Sequence, residues 1–227
     1  MTQLIFVNQA RGGAGKSTFT FLAAEKFQDA IVLDCDDATR ASLKQLAYRN
    51  PIKVSFLDPI TQRIDRSAFD TLFESVASSN KKLFIADAGA SISEQFPKYL
   101  QINTAKSISE MLAASGIELQ IVCVIGGANN FRSTMDYLVE LVESVEGHFG
   151  IIAAHNRHFP FSDNQESIFQ DFVKDNNLKS ISFDLVNDKG ELALRTAENI
   201  LQSGKGLSGL SPFKAVYFKN AIDGINF

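Results

Sequence analysis

A glycine-rich run that ends in lysine, serine and threonine occupies residues 10–18, with the sequence Ala-Arg-Gly-Gly-Ala-Gly-Lys-Ser-Thr. An apolar run, 4–7, precedes it, and a segment of helical length with strong helix formers, 19–27, follows it. Small residues let successive backbone N–H groups point at one anion, and a helix start adds unpaired donors and a partial positive charge. A strand, a glycine-rich loop and a helix in that order predict a loop that cradles the phosphates of a nucleotide.

The side chains of this loop differ in the chemistry they offer. Lys16 supplies a point charge for the β- and γ-phosphates, and the Ser17 hydroxyl is suited to ligating Mg²⁺. The general pattern has a glycine six positions before the lysine, where this chain has Ala10. We assign nucleotide binding to the loop residues Gly12, Gly13, Ala14, Gly15, Lys16, Ser17 and Thr18.

Two further strand-like runs end in carboxylates. Asp34 follows the apolar residues 31–33, and Asp87 follows 83–86. The carboxyl ends of parallel strands meet at one edge of a sheet, which is where ligands gather in this class of fold. A carboxylate that leaves an apolar strand can orient the water shell of a bound Mg²⁺. We therefore predict a metal site formed by Ser17, Asp34 and Asp87.

Strand-like and helix-like segments alternate along the chain. Most strand candidates are continuously apolar, as is typical of parallel strands covered by helices on both faces. The candidates are Leu4–Asn8, Ala30–Asp34, Leu83–Asp87, Leu119–Ile125, Gly150–Ala154 and Lys179–Phe183. Helical periodicity occurs in Phe69–Ser78, Phe131–Val145, Gln165–Lys174 and Glu191–Leu201, with Ser162 or Asp163 as a cap for the third. The pattern predicts an α/β fold, a doubly wound and mostly parallel sheet flanked by helices, in a single domain over residues 1–227.

The composition narrows the class of protein. With 45% hydrophobic and 21% charged residues, the chain has the balance of an ordinary globular protein. No apolar run approaches the ~20 residues that span a bilayer, and Met-Thr-Gln at 1–3 lacks the basic start of a signal peptide, so we expect a cytoplasmic protein. The net charge of −4 argues against a dedicated nucleic-acid-binding protein, although it leaves room for a local basic patch. Nineteen phenylalanines predict a phenylalanine-rich core.

Several stretches resemble the ParA/MinD family of deviant-Walker ATPases. They are Arg-Gly-Gly-Ala-Gly-Lys-Ser-Thr at 11–18, Leu-Asp-Cys-Asp at 33–36, and the later strand that ends at Asp87. Ala-His-Asn-Arg at 154–157 is similar to an Asn-Arg pair after a late strand of the family, and 192–198 is similar to its helix near the C-terminus. The resemblance spans most of the chain. It implies a P-loop NTPase fold of the SIMIBI type, ATP and Mg²⁺ as cofactors, and weak intrinsic ATPase activity.

The resemblance also implies roles for individual residues. In this family two protomers sandwich two nucleotides, and a signature lysine reaches the partner's phosphates. This chain has Arg11 at that position, and arginine can clamp phosphate oxygens with two parallel hydrogen bonds. Asp36 matches the family's water-positioning carboxylate, so the predicted catalytic residues are Lys16, Asp36 and Arg11. Asn156 and Arg157 match the residues that contact adenine.

The function so implied is an ATP-dependent dimerisation switch with slow Mg-ATP hydrolysis. It positions or partitions plasmid or chromosomal DNA, or a DNA-transfer complex, and its partners are a second copy of the chain and a protein activator or DNA-bound adaptor. Short stretches at 87–91, 99–100 and 124–127 are similar to TraL/MobD-like plasmid transfer ATPases, which are associated with conjugation or mobilisation of DNA. These stretches favour that sub-branch.

The C-terminal third offers two further surfaces. Residues 213–219 resemble a basic amphipathic membrane anchor, but their apolar side chains spread around the helical wheel, so we predict a helix packed on the domain and no membrane partner. Basic residues make this third suited either to nonspecific DNA binding or to a solvated surface; they are Lys189, Arg195, Lys205, Lys214 and Lys219. His155 and His158 lie near Asn156, which we interpret as a loop beside the base rather than a metal pair.

Two other functions use the same loop. The first is an ATP-dependent small-molecule synthetase, in which a metabolite triggers turnover without dimerisation. The second is an adaptor that binds nucleotide without hydrolysing it, and the arginine at position 11 and the Asp-Ala at 37–38 favour it.

Overall fold

The structure, a computed structural model, describes residues 1–186 and 190–227, so Lys189 of the predicted basic surface lies outside the described residues. Within these ranges seven strands form one parallel sheet in the order β3-β2-β4-β1-β5-β6-β7. The strands are β1 (Thr2–Asn8), β2 (Ile31–Cys35), β3 (Ile52–Lys53), β4 (Leu83–Ala88), β5 (Ile117–Gly126), β6 (Gly150–Asn156) and β7 (Lys179–Phe183). The predicted parallel α/β sheet is confirmed.

Helices cover both faces of this sheet. They are α1 (Lys16–Lys26), α2 (Ala41–Gln45), α3 (Ala68–Ala77), α4 (Ala90–Asn103), α5 (Ala105–Ala114), α6 (Phe131–Val145), α7 (Asp163–Asp175), α8 (Glu191–Ser203) and α9 (Pro212–Asp223). Alternate residues of β1 point to opposite faces: Leu4 and Phe6 pack with α3 to α7, whereas Ile5 and Val7 pack with α1, α8 and α9. The sheet is therefore doubly wound, as predicted.

Interlocked aromatic rings form much of the core on the first of these faces. Phe69 lies 4.7 Å from Phe56 and 4.8 Å from Tyr99, ring centroid to centroid, and Phe6 lies 4.9 Å from Phe96. Edge-to-face and tilted pairs at such distances add to the stabilisation that burial provides. The prediction of a phenylalanine-rich core is confirmed.

The sequence patterns assign no element to residues 90–114, where the structure has α4 and α5. Pro97 lies inside α4 and has no N–H to donate to the carbonyl of Ser93, four residues earlier. The Tyr137 hydroxyl of α6 donates to that carbonyl instead, at 2.8 Å. A contact from another helix thus satisfies a group that the sequence alone leaves unpaired, which explains why the helix is missed.

The short helix α2 is also missing from the sequence patterns, whereas the helices that were predicted lie close to their predicted positions. Ser162 caps α7, because its hydroxyl accepts the Gln165 N–H while the Gln165 side chain accepts the N–H of Ser162. In α9, Phe218 is fully buried, so this helix packs on the domain as predicted, against α1 and α8, although Phe213 on the same helix is exposed. Among the described residues, no helix has the length and apolar character needed to cross a membrane.

Candidate phosphate-binding site

The glycine-rich loop joins β1 to α1 at the carboxyl edge of the sheet and forms one wall of a cleft of about 470 Å³. The loop that follows β2 and the junction between β4 and α4 form the other walls. The sheet topology therefore brings three separate segments of the chain to one place. The predicted residues that line this cleft are Gly12, Gly13, Gly15, Lys16, Ser17, Thr18, Asp36 and Asp87.

The backbone around the cleft is arranged for an anion. Helices α1 and α4 both begin at it, so two helix N-termini offer unpaired N–H groups and partial positive charge. Gly15 has φ +107°, and a Cβ there would lie 2.2 Å from Asn156 Nδ2. A side chain at this position would therefore strain the backbone and displace Asn156.

Lys16 is the first residue of α1 and is 8% exposed. Its ammonium donates to the backbone carbonyl of Gln9 at 2.8 Å. Burial lowers the pKa of Lys16, while the nearby carboxylates of Asp87 and Asp36 oppose that shift. A largely buried cation held by a neutral carbonyl gains more from a phosphate than an exposed lysine would.

Asp87 is buried opposite this ammonium, and its two oxygens have different surroundings. Oδ2 accepts hydrogen bonds from the Ser17 hydroxyl at 2.7 Å and the Ser42 hydroxyl at 2.5 Å. Oδ1 is buried and has no hydrogen-bond partner. An unpaired carboxylate oxygen beside a serine hydroxyl is the oxygen donor set that Mg²⁺ prefers, so these residues fit the predicted metal ion.

Burial raises the pKa of Asp87 from 3.8 to about 6, and the hydroxyls of Ser42 and Ser17 limit the shift. The folded protein therefore holds a proton that the unfolded chain releases between these two pH values, and stability falls as the pH rises through them. Because asparagine cannot ionise, we expect Asp87→Asn to stabilise the metal-free and nucleotide-free protein at about pH 7.5 by about 1–3 kcal/mol. Urea unfolding in chelator, from about pH 4 to 8, measures this difference.

The same series contains its own check. The difference in stability should shrink to about 0.5 kcal/mol near pH 4, because Asp87 is still protonated in the folded state and only about half of it is ionised in the unfolded state. A variant less stable than the parent at every pH would show that the carboxylate stabilises the empty cleft, contrary to this prediction.

Two other predicted acids lie near Asp87. Asp34 is its partner in the pairing of β2 with β4, but the Asp34 oxygens accept the N–H groups of Asp36 and Leu43 at 3.0 and 2.7 Å. Asp34 therefore stabilises the loop after β2. It is not one of the described residues that line the cleft. Its predicted place near the metal ion stays a prediction.

Asp36 does line the cleft, as predicted. Its carboxylate accepts the backbone N–H of Ala38 at 2.9 Å and that of Thr39 at 3.2 Å, together with the Thr39 hydroxyl. Burial raises the pKa of Asp36, but these hydrogen bonds outweigh it and the net shift is downward, so the carboxylate is ionised at neutral pH. Gly89 permits its approach to β4, since a Cβ at that position would lie 2.8 Å from Asp36 Oδ1.

Neither Arg11 nor Asn156 is among the residues that line this cleft. Arg11 is exposed outside the cleft, and its Nε donates to Asn130 Oδ1 at 3.4 Å. Asn156 is buried, and its amide donates to the backbone carbonyl of Ala14 at 2.9 Å and accepts the N–H of His158 at 3.1 Å. Asn156 thus braces the phosphate loop from β6, and the buried Ala14 takes part through its backbone.

A second cleft, of about 630 Å³, opens at the ends of β6 and β7. Arg157, which is exposed, lines it together with Phe183, Asp184 and His155. The His155 ring stacks on Phe161 with centroids 3.5 Å apart, and burial lowers the pKa of the imidazole. Asn156 lies against Gly15 and Arg157 follows it, so the predicted base-contacting pair joins the phosphate loop to this second cleft.

Sequence reasoning misses several polar residues that shape the site. Ser42 is buried on Asp87, and Gln45 lines the cleft with a buried, unpaired Oε1. Gln9 is buried directly before the glycine-rich run. A polar residue at the end of an apolar strand signals Gln9. No pattern signals Ser42 or Gln45, because both lie in α2, a five-residue helix that tertiary contacts position.

No protein-family model matches the chain, and no curated protein matches its sequence. Solved structures do match its fold. The MinD cell division protein of Aquifex aeolicus is 16% identical, with a TM-score of 0.58 over 97% of this chain and 93% of that one. FtsY of Thermotoga maritima is 12% identical, with a TM-score of 0.51 over 98% of this chain and 68% of that one. An ATP complex of McdA from Cyanothece is 16% identical, with a TM-score of 0.50 over 100% and 98%.

These identities are too low to transfer an activity, so they describe architecture alone. The structural match extends over nearly all of this chain for each neighbour. The protein therefore has the P-loop NTPase fold that MinD and FtsY share.

Proposed function

We propose that the protein is a Mg-ATP-dependent switch that dimerises around bound nucleotide and hydrolyses it slowly. One observation carries the proposal: Lys16, Ser17 and Asp87 converge on one cleft, where Asp87 has a buried oxygen without a partner. A cleft with a buried ammonium, two helix N-termini and an unpaired carboxylate oxygen suits a phosphate chain with its metal ion. ATP is proposed as the nucleotide on the resemblance to ParA and MinD proteins.

In this proposal each side chain has a separate task. The N–H groups of the loop and the Lys16 ammonium hold the β- and γ-phosphates, and Ser17 and Asp87 hold Mg²⁺, which supplies charge neutralisation at the transferred phosphoryl group. Asp36, ionised and directed into the cleft, orients the attacking water. Asp34 keeps the loop that carries Asp36 in place through its bonds to Asp36 N and Leu43 N. Positioning and charge account for such catalysis without covalent help from the protein.

The second cleft is the proposed site of the base. Arg157 lies at this cleft, and Asn156 connects it to the phosphate loop. Because Asn156 already donates to Ala14 and accepts from His158, we assign it a bracing role and assign base contact to Arg157. The carboxyl ends of β6 and β7 thus complete a site that begins at β1.

Arg11 is the proposed link between nucleotide and dimer. Its side chain is exposed, contacts Asn130 and does not line the phosphate cleft of its own protomer. A second protomer facing the cleft would receive that guanidinium on its γ-phosphate, where a bidentate contact forms only with ATP bound. This difference in contacts between the ATP and ADP states is what shifts the monomer–dimer equilibrium.

Light scattering on a sizing column tests the switch. We expect a doubling of the monomer mass of 24.9 kDa in Mg-ATP and no change in Mg-ADP. Arg11→Ala should stay monomeric in both nucleotides while binding each of them. Arg132→Ala is a matched control, because that arginine is also exposed and pairs only weakly with Asp136 on α6.

The outcomes separate the candidates. A monomer in both nucleotides would exclude the dimerising switch and favour the synthetase or the adaptor, which a metabolite screen for turnover then distinguishes. A dimer in which Arg11→Ala has no effect would retain the switch and remove Arg11 from it.

For the wider role we propose positioning of DNA or of a protein assembly, with an activating protein partner. The support is architectural: one structural neighbour is a MinC–MinD cell division protein complex from Aquifex aeolicus, with a TM-score of 0.54 at 14% identity. Plasmid partition and DNA transfer stay proposals that rest on the short sequence resemblances described above.

A further inference from the structure

Gln9 is the residue between β1 and the glycine-rich run, and it is 0% exposed. Its amide Nε2 donates to the carbonyls of Val124 at 2.8 Å and Thr134 at 3.3 Å. Its Oε1 accepts the backbone N–H of Arg11 at 3.1 Å. The amide nitrogen Nε2 also donates to Cys123 Sγ at 3.8 Å. Because the amide nitrogen donates and the amide oxygen accepts, these bonds fix the orientation of the side chain between β5, α6 and the start of the phosphate loop.

The backbone of Gln9 makes two further contacts at the site. Its carbonyl accepts the Lys16 ammonium at 2.8 Å, and its N–H donates to the Ser93 hydroxyl on α4 at 3.1 Å. Helix α4 begins directly after the segment that carries Asp87. Gln9 therefore contacts Lys16, helix α4 and the exposed segment 11–13, which we call the Arg11 arm.

The arm itself has few other restraints. Residues 11–13 are exposed, and a Cβ added at Gly12 or Gly13 would meet nothing within 4 Å. The Arg11 side chain is held by a long contact to Asn130, at 3.4 Å. The hydrogen bond from the Arg11 N–H to Gln9 Oε1 therefore restrains this segment most firmly. The Gln9 side chain is buried, and its amide nitrogen is held in turn by two backbone carbonyls.

We propose that Gln9 is a positioning residue that sets the direction of the Arg11 arm and so determines how well Arg11 acts in the closed dimer. The proposal rests on the function proposed above for Arg11. Gln9 touches no nucleotide; it acts through the backbone of Arg11. Its role in binding phosphate is separate, since the Lys16 contact uses the Gln9 carbonyl and any side chain at position 9 keeps that group.

The test is Gln9→Met, which keeps the length of the side chain and removes its hydrogen bonds. In the nucleotide-free protein, we expect the Arg11 amide to exchange with solvent roughly tenfold faster, as measured by NMR. In Mg-ATP, kcat should fall roughly tenfold while the dissociation constant for ADP changes by less than about threefold. Gln120→Met is the matched control: it loses a hydrogen bond to the Gly150 carbonyl far from the cleft and should change neither quantity.

A double-mutant cycle separates positioning from general stability. In an Arg11→Ala background, Gln9→Met should lower kcat no further, because the residue through which it acts is gone. An additive loss of kcat, or an unchanged exchange rate at the Arg11 amide, would overturn the proposal. If Gln9→Met fails to fold, Gln9→Asn keeps the amide but is one methylene too short to bridge β5 and Arg11, and the same expectations apply.

Failure of the proposed function is visible separately. A wild-type protein that neither binds nor hydrolyses ATP would exclude the switch, yet the exchange rate of the Arg11 amide would still show whether Gln9 holds the arm. Faster exchange supports the positioning role on structural grounds alone, and unchanged exchange rejects it.

Discussion

Lys16→Ala is expected to weaken Mg-ATP binding by about 100-fold or more, because a charge-assisted contact in a buried setting is worth roughly 3 kcal/mol. The ammonium is largely buried and, in this structure, donates to the Gln9 carbonyl instead of a carboxylate. Removing it leaves the loop backbone intact but removes the point charge that we assign to the phosphates. Titration with a fluorescent ATP analogue measures the loss.

A matched control is Lys82→Ala, an exposed lysine directly before β4, at the opposite edge of the sheet from the cleft. It should bind ATP as the parent does. Thermal unfolding without nucleotide should show Lys16→Ala to be no less stable than the parent, since burial of this ammonium lowers its pKa and so opposes folding at neutral pH. Binding within about threefold of the parent would remove Lys16 from the phosphate site.

Asp36→Ala is expected to bind Mg-ATP with a dissociation constant within about threefold of that of the parent. Its kcat should be lower by about 100-fold or more, which is the usual loss when a group that positions the attacking water is removed. The carboxylate lines the cleft and is ionised, while Lys16, Ser17 and Asp87, which hold phosphate and metal in our proposal, are unchanged. Single-turnover measurement of phosphate release separates this effect from product release.

Asp36 also stabilises its own loop through Ala38 and Thr39, so a loss of turnover could arise from a disordered loop. Asp37→Ala is the control for that effect. Asp37 accepts the Phe56 N–H at 2.8 Å and pairs with Lys53, so its loss loosens the same loop without removing a group from the cleft. Equal losses in the two variants would assign Asp36 a structural role, and normal turnover in Asp36→Ala would remove it from catalysis.

The sequence predicts the strands and most of the helices because buried parallel strands are continuously apolar and the helices on them are amphipathic. The same logic predicts that Asp34 and Asp87, each at the end of an apolar run, lie at the same edge of the sheet as the glycine-rich loop, and Asp87 does line the cleft there. The two-residue strand β3 (Ile52–Lys53) is too short and too exposed for any pattern to indicate it.

What the sequence cannot predict is how polar side chains are shared within the site. Asp34 and Asp87 each follow an apolar run and pair in register, yet one satisfies backbone N–H groups while the other keeps an oxygen unpaired. Asn156 matches a base-contacting residue by motif, but its amide braces the phosphate loop. These outcomes depend on which groups lie within hydrogen-bond distance of each side chain, and the folded structure alone determines that.

The central place of β1 in the sheet also constrains how the chain folds. Its strand partners, β4 and β5, begin at Leu83 and Ile117, so β1 cannot complete its hydrogen bonding until those distant segments have been synthesised. Pairing over such separations is slow, because the entropy of closing long loops is lost before native contacts compensate for it. Meanwhile the apolar residues 4–7 present two open strand edges, which favour aggregation. The glycine-rich loop directly follows β1, so it takes its final shape only after β4 and β5 have been made and paired.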